Sequence, residues 1–147
     1  RCMEIMKTAL RLGWDEAYGG FFLYVHRKGG PPTGSVEGIE NEPLYHTVRN
    51  AHDNKVWWVH SEALYALLLC ERISRDDSFG RMYEKVHRYV FSTFPNPDSS
   101  IGEWIQIRKR DGSPSDQVVA LPVKDPYHIM RTCCLCIDLL SGSPQEI

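Results

Sequence analysis

The sequence predicts an all-α fold with short β-hairpins, of the kind in which hairpins at one rim of an α-toroid cover a central pocket. Apolar residues recur at helical spacing in four separate segments. Short aromatic or alternating runs beside glycine-containing turns lie between these segments and predict strands. The chain shows no βαβ pattern and no glycine-rich phosphate loop. Because four helices do not close a ring by themselves, we expect this chain to form part of such a toroid.

The amino-terminal part of the chain is predicted to contain one helix, one strand and one long loop. Apolar residues keep a helical spacing over 2–12, and Gly13 is expected to end that helix. An aromatic, β-rich run over 21–25 follows a double glycine and predicts a short strand. Residues 31–54 are polar, contain Pro and Gly and show no period, so we expect a long loop there, of the kind that is functional or mobile.

The carboxy-terminal part is predicted to be mostly helical. Three helices are expected from the spacing of apolar residues, over 59–73, 79–94 and 127–140. Ser61 is a candidate N-cap for the first of them. The alternating run 103–107 predicts a strand, and 110–112 is a hairpin-type turn after it.

Composition limits the classes of function. The 147 residues are 42% hydrophobic and 24% charged, which is ordinary for a soluble globular domain with a core. With 17 Lys and Arg against 19 Asp and Glu, the net charge of -2 gives no electrostatic reason to expect nucleic acid or an anionic membrane as partner. The densest basic run, 108–110, is expected on a solvated surface. No apolar run approaches the length that crosses a bilayer.

The cysteines and the first residues indicate the setting of the chain. The five cysteines are a poor disulfide framework, because their number is odd and three of them crowd into the last predicted helix. We expect them to be reduced and mostly buried, as in a cytoplasmic protein. A helical pattern is already running at Arg1, where no initiator Met stands, so we expect the natural start to lie upstream and this chain to be a fragment.

A first candidate site lies at the start of the predicted helix 59–73. Trp58 and Glu62 are one helical turn apart and therefore share a face. An indole beside a carboxylate suits a sugar, since the ring stacks on C–H groups while the carboxylate accepts hydrogen bonds from hydroxyls. The alternative is that Trp57 and Trp58 are a buried pair and Glu62 serves the helix N-terminus.

A second candidate site lies at the start of the last predicted helix. Pro126 suits a first helical turn, so His128 would project from the helix start. The positive end of the helix dipole there favours the neutral imidazole that a general base needs. Arg131, three residues on, shares the face and could bind a hydroxyl or a developing enolate oxygen. The alternative is that His128 is a capping or packing residue.

Other titratable residues suggest weaker sites. His46, His52 and Asp53 match no common metal-site spacing, so no metal is expected. Glu62 and Glu103 could form the carboxylate pair of a glycosidase, although their spacing in the sequence does not fix their separation. Surface or helix-face positions are expected for His26, His60 and His87.

Five stretches of the sequence occur together in a characteristic order. They are GWDEAYGGFF at 13–22, KVWWVHSEAL at 55–64, YEKVHRY with the following PNP at 83–97, GEW with RDG at 102–112, and PYH with its arginine at 126–131. In this order they resemble the N-acylglucosamine 2-epimerase and cellobiose 2-epimerase family, which includes the renin-binding protein. Apart from 31–54, the resemblance covers nearly the whole chain.

The resemblance implies an (α/α)6 barrel and a proton transfer at the carbon beside a sugar carbonyl. In that family two histidines face the substrate from opposite sides, and His128 matches the second of them. Glu62 matches a pocket carboxylate, Trp58 a sugar-stacking wall and Arg131 the arginine that follows the histidine. We also assign Trp57 and Trp104 to substrate binding. The family's His-x-x-Glu motif, which carries the other histidine, is absent from this chain.

The sequence therefore predicts a sugar 2-epimerase that acts on N-acylglucosamine, N-acylmannosamine or a related aldose through an enediolate. Residues 1–147 would be the C-terminal part of a single domain, inactive alone, with 31–54 as a loop insertion. A non-catalytic, renin-binding-like scaffold and an (α/α)6 glycoside hydrolase stay open as alternatives. No cofactor is expected, a nucleotide is considered only as an allosteric effector, and the expected partner is a small sugar. Nucleic acid and membrane are not expected as partners, and a homodimer is left open.

Overall fold

The computed structural model describes residues 1–116 and 127–142. In these ranges the chain forms five helices and two short strands, in the order α1 (Cys2–Gly13), α2 (Pro43–Ala51), β1 (Lys55–Val56), α3 (Trp57–Ser74), α4 (Asp77–Thr93), β2 (Ile107–Arg108) and α5 (His128–Leu140). The chain divides into two compact units. The first contains residues 1–56 and 107–115, and the second contains 57–106 with the residues that follow 115.

The four predicted helices are confirmed as α1, α3, α4 and α5, each within about two residues of the expected bounds. The helix α1 ends at Gly13, where the backbone N–H of Trp14 still donates to Leu10 O. The helix α4 begins after Asp76, whose side chain accepts a hydrogen bond from the Ser78 N–H at 2.9 Å and so acts as the N-cap. It ends at Thr93, with Phe94 as its C-cap, and Pro95 then lacks the backbone N–H that would continue the helical hydrogen bonds.

The prediction of a structureless loop over 31–54 is wrong for its second half, because residues 43–51 form the helix α2. Pro43 is its first residue, where the fixed φ of proline is already helical and its missing N–H leaves no hydrogen bond unmade. Thr47 donates its hydroxyl to Pro43 O at 3.1 Å. A helix of nine residues is too short for its few apolar positions to display a period.

The predicted strands are wrong in position. Residues 21–25 form no strand, and only an isolated bridge joins Trp14 and Phe21. The one sheet in the described part of the chain pairs Lys55 with Arg108 and Val56 with Ile107, antiparallel. The turn after β2 is confirmed, since Lys109 N–H donates to Ser113 O at 2.8 Å.

The second unit is built on α3, which packs against both α4 and α5. The buried side chains of α4 lie at positions i, i+7 and i+11, which share one face, and α3 contributes several leucines. They are Phe79, Val86 and Val90 from α4, and Leu64, Leu67 and Leu68 from α3. Burying each such side chain contributes roughly 1.5 to 3 kcal/mol, so this core holds α4 against α3.

Two residues of α3 contradict the sequence-based expectations. Ser61 is not an N-cap: it lies inside α3, is buried, and donates its hydroxyl to Trp58 O at 3.1 Å. His60 is not a surface residue, because its side chain is fully buried and stacks on Tyr89, with ring centroids 5.4 Å apart. The first error arises because α3 begins at Trp57, which places Ser61 inside the helix and not before it.

The cysteines are free, but they are not mostly buried as expected. Cys136 is buried, Cys70 and Cys133 are half-buried, and Cys2 and Cys134 are exposed. Burial raises the pKa of Cys136 to about 11, so this thiol stays protonated at neutral pH. Among the residues that the structure describes, no helix has the length and apolar character needed to cross a membrane.

Candidate functional site

One face of α3, opposite the start of α5, carries three side chains of the candidate site. Trp58, Glu62 and Tyr65 lie at i, i+4 and i+7, so they form a stripe along about two turns of the helix. Opposite them, α5 begins at His128 and places Arg131 one turn further along. All five residues belong to the second unit of the chain.

Glu62 is the centre of the site. Its Oε1 is 2.9 Å from Nδ1 of His128. Arg131 donates from Nη1 to Oε1 at 3.0 Å and to Oε2 at 2.9 Å. The two candidate sites predicted from the sequence, Trp58 with Glu62 and His128 with Arg131, are therefore parts of one cluster.

The cluster fixes the charge of Glu62. Burial by itself would raise the pKa of this carboxyl, but the hydrogen bonds from His128 and Arg131 outweigh burial, and the pKa lies below its ordinary value. Hydrogen bonding to Glu62 likewise raises the pKa of Arg131. Glu62 is therefore an anion at neutral pH.

An ionised carboxylate can only accept hydrogen bonds, so Nδ1 of His128 is the donor in its contact with Glu62. In the neutral imidazole the proton then sits on Nδ1, and Nε2 carries the lone pair. Such a hydrogen bond fixes both the tautomer and the orientation of the ring. The arrangement can supply a base at Nε2 that is positioned by Glu62.

Aromatic rings surround these polar groups. The indole of Trp58 lies 5.8 Å from the imidazole of His128, centroid to centroid. Trp58 remains 42% exposed although it is a large apolar side chain, so much of its ring is uncovered beside the cluster. A partly exposed indole next to hydrogen-bonding groups is a suitable surface for stacking a sugar ring.

Two tyrosines of the cluster were not singled out from the sequence. The ring of Tyr127 meets the His128 imidazole edge-on at 5.2 Å, and the guanidinium carbon of Arg131 lies 5.7 Å from its centroid. The ring of Tyr65 lies 6.0 Å from the same carbon. The spacing of Tyr65 from Trp58 and Glu62 on α3 was the signal that could have found it.

The other two predicted substrate-binding residues, Trp57 and Trp104, also belong to the second unit. Trp104 stacks on Phe94, with ring centroids 5.8 Å apart, and meets Phe91 edge-on. The backbone N–H of Trp57 donates to Gln106 O at 3.0 Å. Their role in substrate binding stays a prediction. Pro126, expected in the first turn of α5, lies outside the described residues.

A separate charged cluster occurs in the first unit. Asp15 is buried and accepts hydrogen bonds from Lys55 Nζ at 3.0 Å and from Arg110 Nε at 2.8 Å. Arg108, in the same basic run as Arg110, is itself buried. The prediction that run 108–110 lies on a solvated surface is therefore wrong for Arg108, whereas Lys109 and Arg110 are exposed as expected.

Comparison with known proteins identifies the family. The chain matches the family model described as N-acylglucosamine 2-epimerase (GlcNAc 2-epimerase) over residues 2–133. The chain belongs to the N-acylglucosamine 2-epimerase family. Curated members of the family that resemble it include N-acylglucosamine 2-epimerase of Bos taurus, 29% identical over 130 residues, and that of Homo sapiens, 28% identical over 130 residues.

The alignments cover most of this chain but only part of those relatives. They include 88% of this chain and 27% of the bovine protein, and 88% and 26% for the human protein. The chain therefore spans about a quarter of the length of these N-acylglucosamine 2-epimerases.

Solved structures agree with this assignment. A cellobiose 2-epimerase from Bacillus thermoamylovorans B4167 superposes with a TM-score of 0.52 at 30% identity, over 58% of this chain and 22% of that one. A sugar epimerase from a ruminal bacterium gives a TM-score of 0.52 at 26% identity, over 63% and 23%. A D-mannose isomerase gives a TM-score of 0.68 over 95% of this chain and 30% of that one, and its 17% identity relates the two in fold alone.

Proposed function

We propose that this chain is the C-terminal part of a sugar 2-epimerase, built as an (α/α)6 barrel, in which His128 transfers a proton at C2 of an open-chain sugar. The observation that carries the proposal is the hydrogen bond from Nδ1 of His128 to Glu62, whose carboxylate is also held by Arg131. Membership of the N-acylglucosamine 2-epimerase family supports it.

His128 acts as the base for one epimer and as the acid for the other. With Nδ1 donating to Glu62, the lone pair of Nε2 accepts the C2 proton, and the anionic Glu62 stabilises the imidazolium that forms. The electron pair of the C–H bond moves into the C1–C2 bond, and the carbonyl oxygen becomes the enediolate oxygen. Return of a proton to the other face of C2 gives the epimer.

Arg131 stabilises the charge that develops during this step. Its Nη1 is occupied by Glu62, but a guanidinium carries five N–H donors in one plane, so Nε and Nη2 can donate elsewhere. A positive group that is already in place when the enolate oxygen forms lowers the barrier without reorganisation. Arg131 therefore serves as the electrostatic partner of His128.

The second proton-transfer group is proposed to lie upstream of this chain. A single imidazole reaches one face of a planar enediolate, whereas epimerisation needs a proton on each face. None of the six histidines here is followed by Glu at the third position, as the motif of the other family histidine requires. The proposed substrate is N-acylglucosamine, N-acylmannosamine or a related aldose, and the proposed location is the cytoplasm, with no cofactor required.

The charge of Glu62 favours this role over that of a glycosidase acid. A glycosidase needs one carboxyl that is protonated at working pH, which requires a raised pKa. The hydrogen bonds from His128 and Arg131 move the pKa of Glu62 the other way. Glu62 is thus suited to orient an imidazole and unsuited to protonate a leaving group.

The test is His128→Asn in the complete polypeptide that contains this chain. Asparagine keeps some hydrogen bonding but cannot accept a proton at neutral pH, so kcat should fall by roughly two to four decades while KM changes little. In deuterated solvent, exchange of the C2 hydrogen should be lost for at least one epimer.

The matched control is His87→Asn, because His87 is exposed on α4 and its ring contacts Tyr83 and Phe91. This variant should keep wild-type kcat. Near-normal turnover of His128→Asn, with full C2 exchange from both epimers, would make His128 a structural residue and the proposal wrong.

A further inference from the structure

The guanidinium of Arg131 lies near two tyrosine rings, one on α3 and one directly before α5. Its central carbon is 6.0 Å from the ring centroid of Tyr65 on α3 and 5.7 Å from that of Tyr127, which immediately precedes α5. Both distances are within the range in which a cation is attracted to the face of an aromatic ring. We call this pair, Tyr65 and Tyr127, the tyrosine clamp.

The contacts of Arg131 leave one edge of its guanidinium open. Nη1 bonds to both oxygens of Glu62, and in the part of the chain that the structure describes no protein acceptor is bound to Nε or Nη2. The side chain is 38% exposed, so it is not held by surrounding core. A long arginine side chain has several rotamers, and a single carboxylate contact at one nitrogen leaves the guanidinium free to pivot.

The same clamp touches the proposed proton-transfer group. The ring of Tyr127 meets the His128 imidazole edge-on at 5.2 Å, and it remains 60% exposed. A ring so exposed contributes little to the core of the second unit. Its ring therefore contacts both Arg131 and His128 from an exposed position.

We propose that Tyr65 and Tyr127 are positioning residues, which fix the plane of Arg131 so that its open edge meets the oxygen that becomes negative in the reaction. This inference rests on the proposed function and adds to it the pair of rings on which the alignment of the guanidinium depends. The aromatic faces carry this role, and the phenol hydroxyls do not.

The first test compares Tyr127→Leu with Tyr127→Phe in the complete polypeptide. Leucine keeps apolar volume without a π face, whereas phenylalanine keeps the face and removes the hydroxyl. Tyr127→Leu should lower kcat between about twofold and about 30-fold, the range that cation–π energies span, with KM nearly unchanged. Tyr127→Phe should stay within about twofold of the wild type, and Tyr65→Leu and Tyr65→Phe should show the same contrast.

The matched control is Tyr45→Leu. Tyr45 also contacts an arginine, since Arg49 Nη1 donates to its hydroxyl at 2.7 Å, but both residues lie on α2 in the first unit. This variant should keep wild-type kcat and KM. Circular dichroism of every variant shows whether it is folded.

The second test measures how strongly the two rings hold a guanidinium in this place. Arg131→Ala removes it, and guanidinium chloride added at millimolar concentration should restore part of kcat by occupying the same place. In Arg131→Ala/Tyr127→Leu the half-saturating guanidinium concentration should rise by about threefold or more, because one wall of the clamp is missing. In Arg131→Ala/Tyr127→Phe it should not change.

The outcomes separate this inference from the proposed function. If His128→Asn abolishes turnover but Tyr127→Leu keeps wild-type kcat and leaves the guanidinium rescue unchanged, the clamp is wrong and the proposed function stands. Equal losses in Tyr127→Phe and Tyr127→Leu would also overturn the clamp, since the hydroxyl would then carry the effect. If His128→Asn is fully active, the proposed function fails first, whatever the clamp variants do.

Discussion

Glu62 is the residue on which the geometry of the candidate site depends. Its two oxygens hold three contacts, one from His128 and two from a single nitrogen of Arg131. With a carboxylate here, Nδ1 of His128 has to donate, and Nε2 is left as the proton acceptor. The charge of Glu62 thus decides which nitrogen of His128 carries the proton.

A change from Glu62 to Gln tests that dependence. An amide can turn its NH2 toward Nδ1, which would place the proton on Nε2 and leave the wrong nitrogen as the acceptor. We expect kcat of Glu62→Gln in the complete polypeptide to fall by about two decades or more. In the Ser-His-Asp triad, changing the carboxylate that orients the histidine to an amide lowers kcat by about four decades. KM should rise only slightly.

The measurement is the initial rate of epimerisation together with C2 exchange in deuterated solvent. Glu71→Gln is a suitable control, because Glu71 is a half-buried glutamate of the same helix and lies outside the site. A Glu62→Gln variant with wild-type kcat would show that the tautomer of His128 does not depend on this carboxylate.

Elements with a local pattern could be predicted from the sequence, and elements that depend on distant pairing could not. The helices α3 and α4 have enough apolar residues in a 3.6-residue period to be placed correctly, and Trp58 and Glu62 were expected on one face of α3. The hydrogen bond between Glu62 and His128 links residues that are 66 positions apart, and no periodicity in the sequence predicts it. The resemblance to a known family placed both residues in one pocket.

The sheet and its charged cluster show the same limit. The strand β1 pairs with β2, which is remote in sequence, so the register Lys55 with Arg108 could not be read from either segment alone. Asp15 bonds to Lys55, 40 residues away, and to Arg110, 95 residues away. A basic run beside a turn is ordinarily solvated, and its sequence gives no sign of an ion-pair partner. The contact of Arg110 with Asp15 appears only in the folded chain.

The Asp15–Lys55–Arg110 cluster ties together three elements of the first unit, namely the turn after α1, the strand β1 and the turn after β2. Asp15→Asn should lower the free energy of unfolding by about 3 kcal/mol, because it leaves the buried Lys55 without its counter-charge. Urea denaturation followed by tryptophan fluorescence measures the change. Asp138→Asn, on the exposed face of α5, should change it by less than about 0.5 kcal/mol.

The same cluster makes stability depend on pH in acid. Burial raises the pKa of Asp15, but hydrogen bonds from Arg110 and Lys55 outweigh burial and hold the pKa well below its ordinary value of 3.8. A folded-state pKa that is depressed gives stability that is present above the unfolded pKa and lost as pH falls toward the folded one. The unfolding free energy should therefore decrease below about pH 4, and less steeply in Asp15→Asn. Equal slopes would mean that other carboxyls carry the acid sensitivity.

At the scale of the whole molecule, the proposed mechanism assigns one proton-transfer group to this chain and needs a second one. Its matched part spans about a quarter of the length of the N-acylglucosamine 2-epimerases that it resembles. His128 and Arg131 are each more than a third exposed, so the described residues of the second unit leave this cluster open to solvent. A site open to water loses electrostatic strength, because solvent screens the charges that should stabilise the enediolate.

The 147-residue chain by itself should therefore fail to interconvert N-acetylglucosamine and N-acetylmannosamine, whereas the complete polypeptide should do so. The measurement is the rate of epimerisation by both proteins at equal concentration, with C2 exchange recorded in deuterated solvent. If His128 can reach a sugar in the isolated chain, the result would be slow exchange from one epimer without epimerisation, because the proton would return to the face it left. Turnover by the isolated chain on the order of 1 per second or faster would show that it contains both groups, and the second would then have to be sought among its own residues.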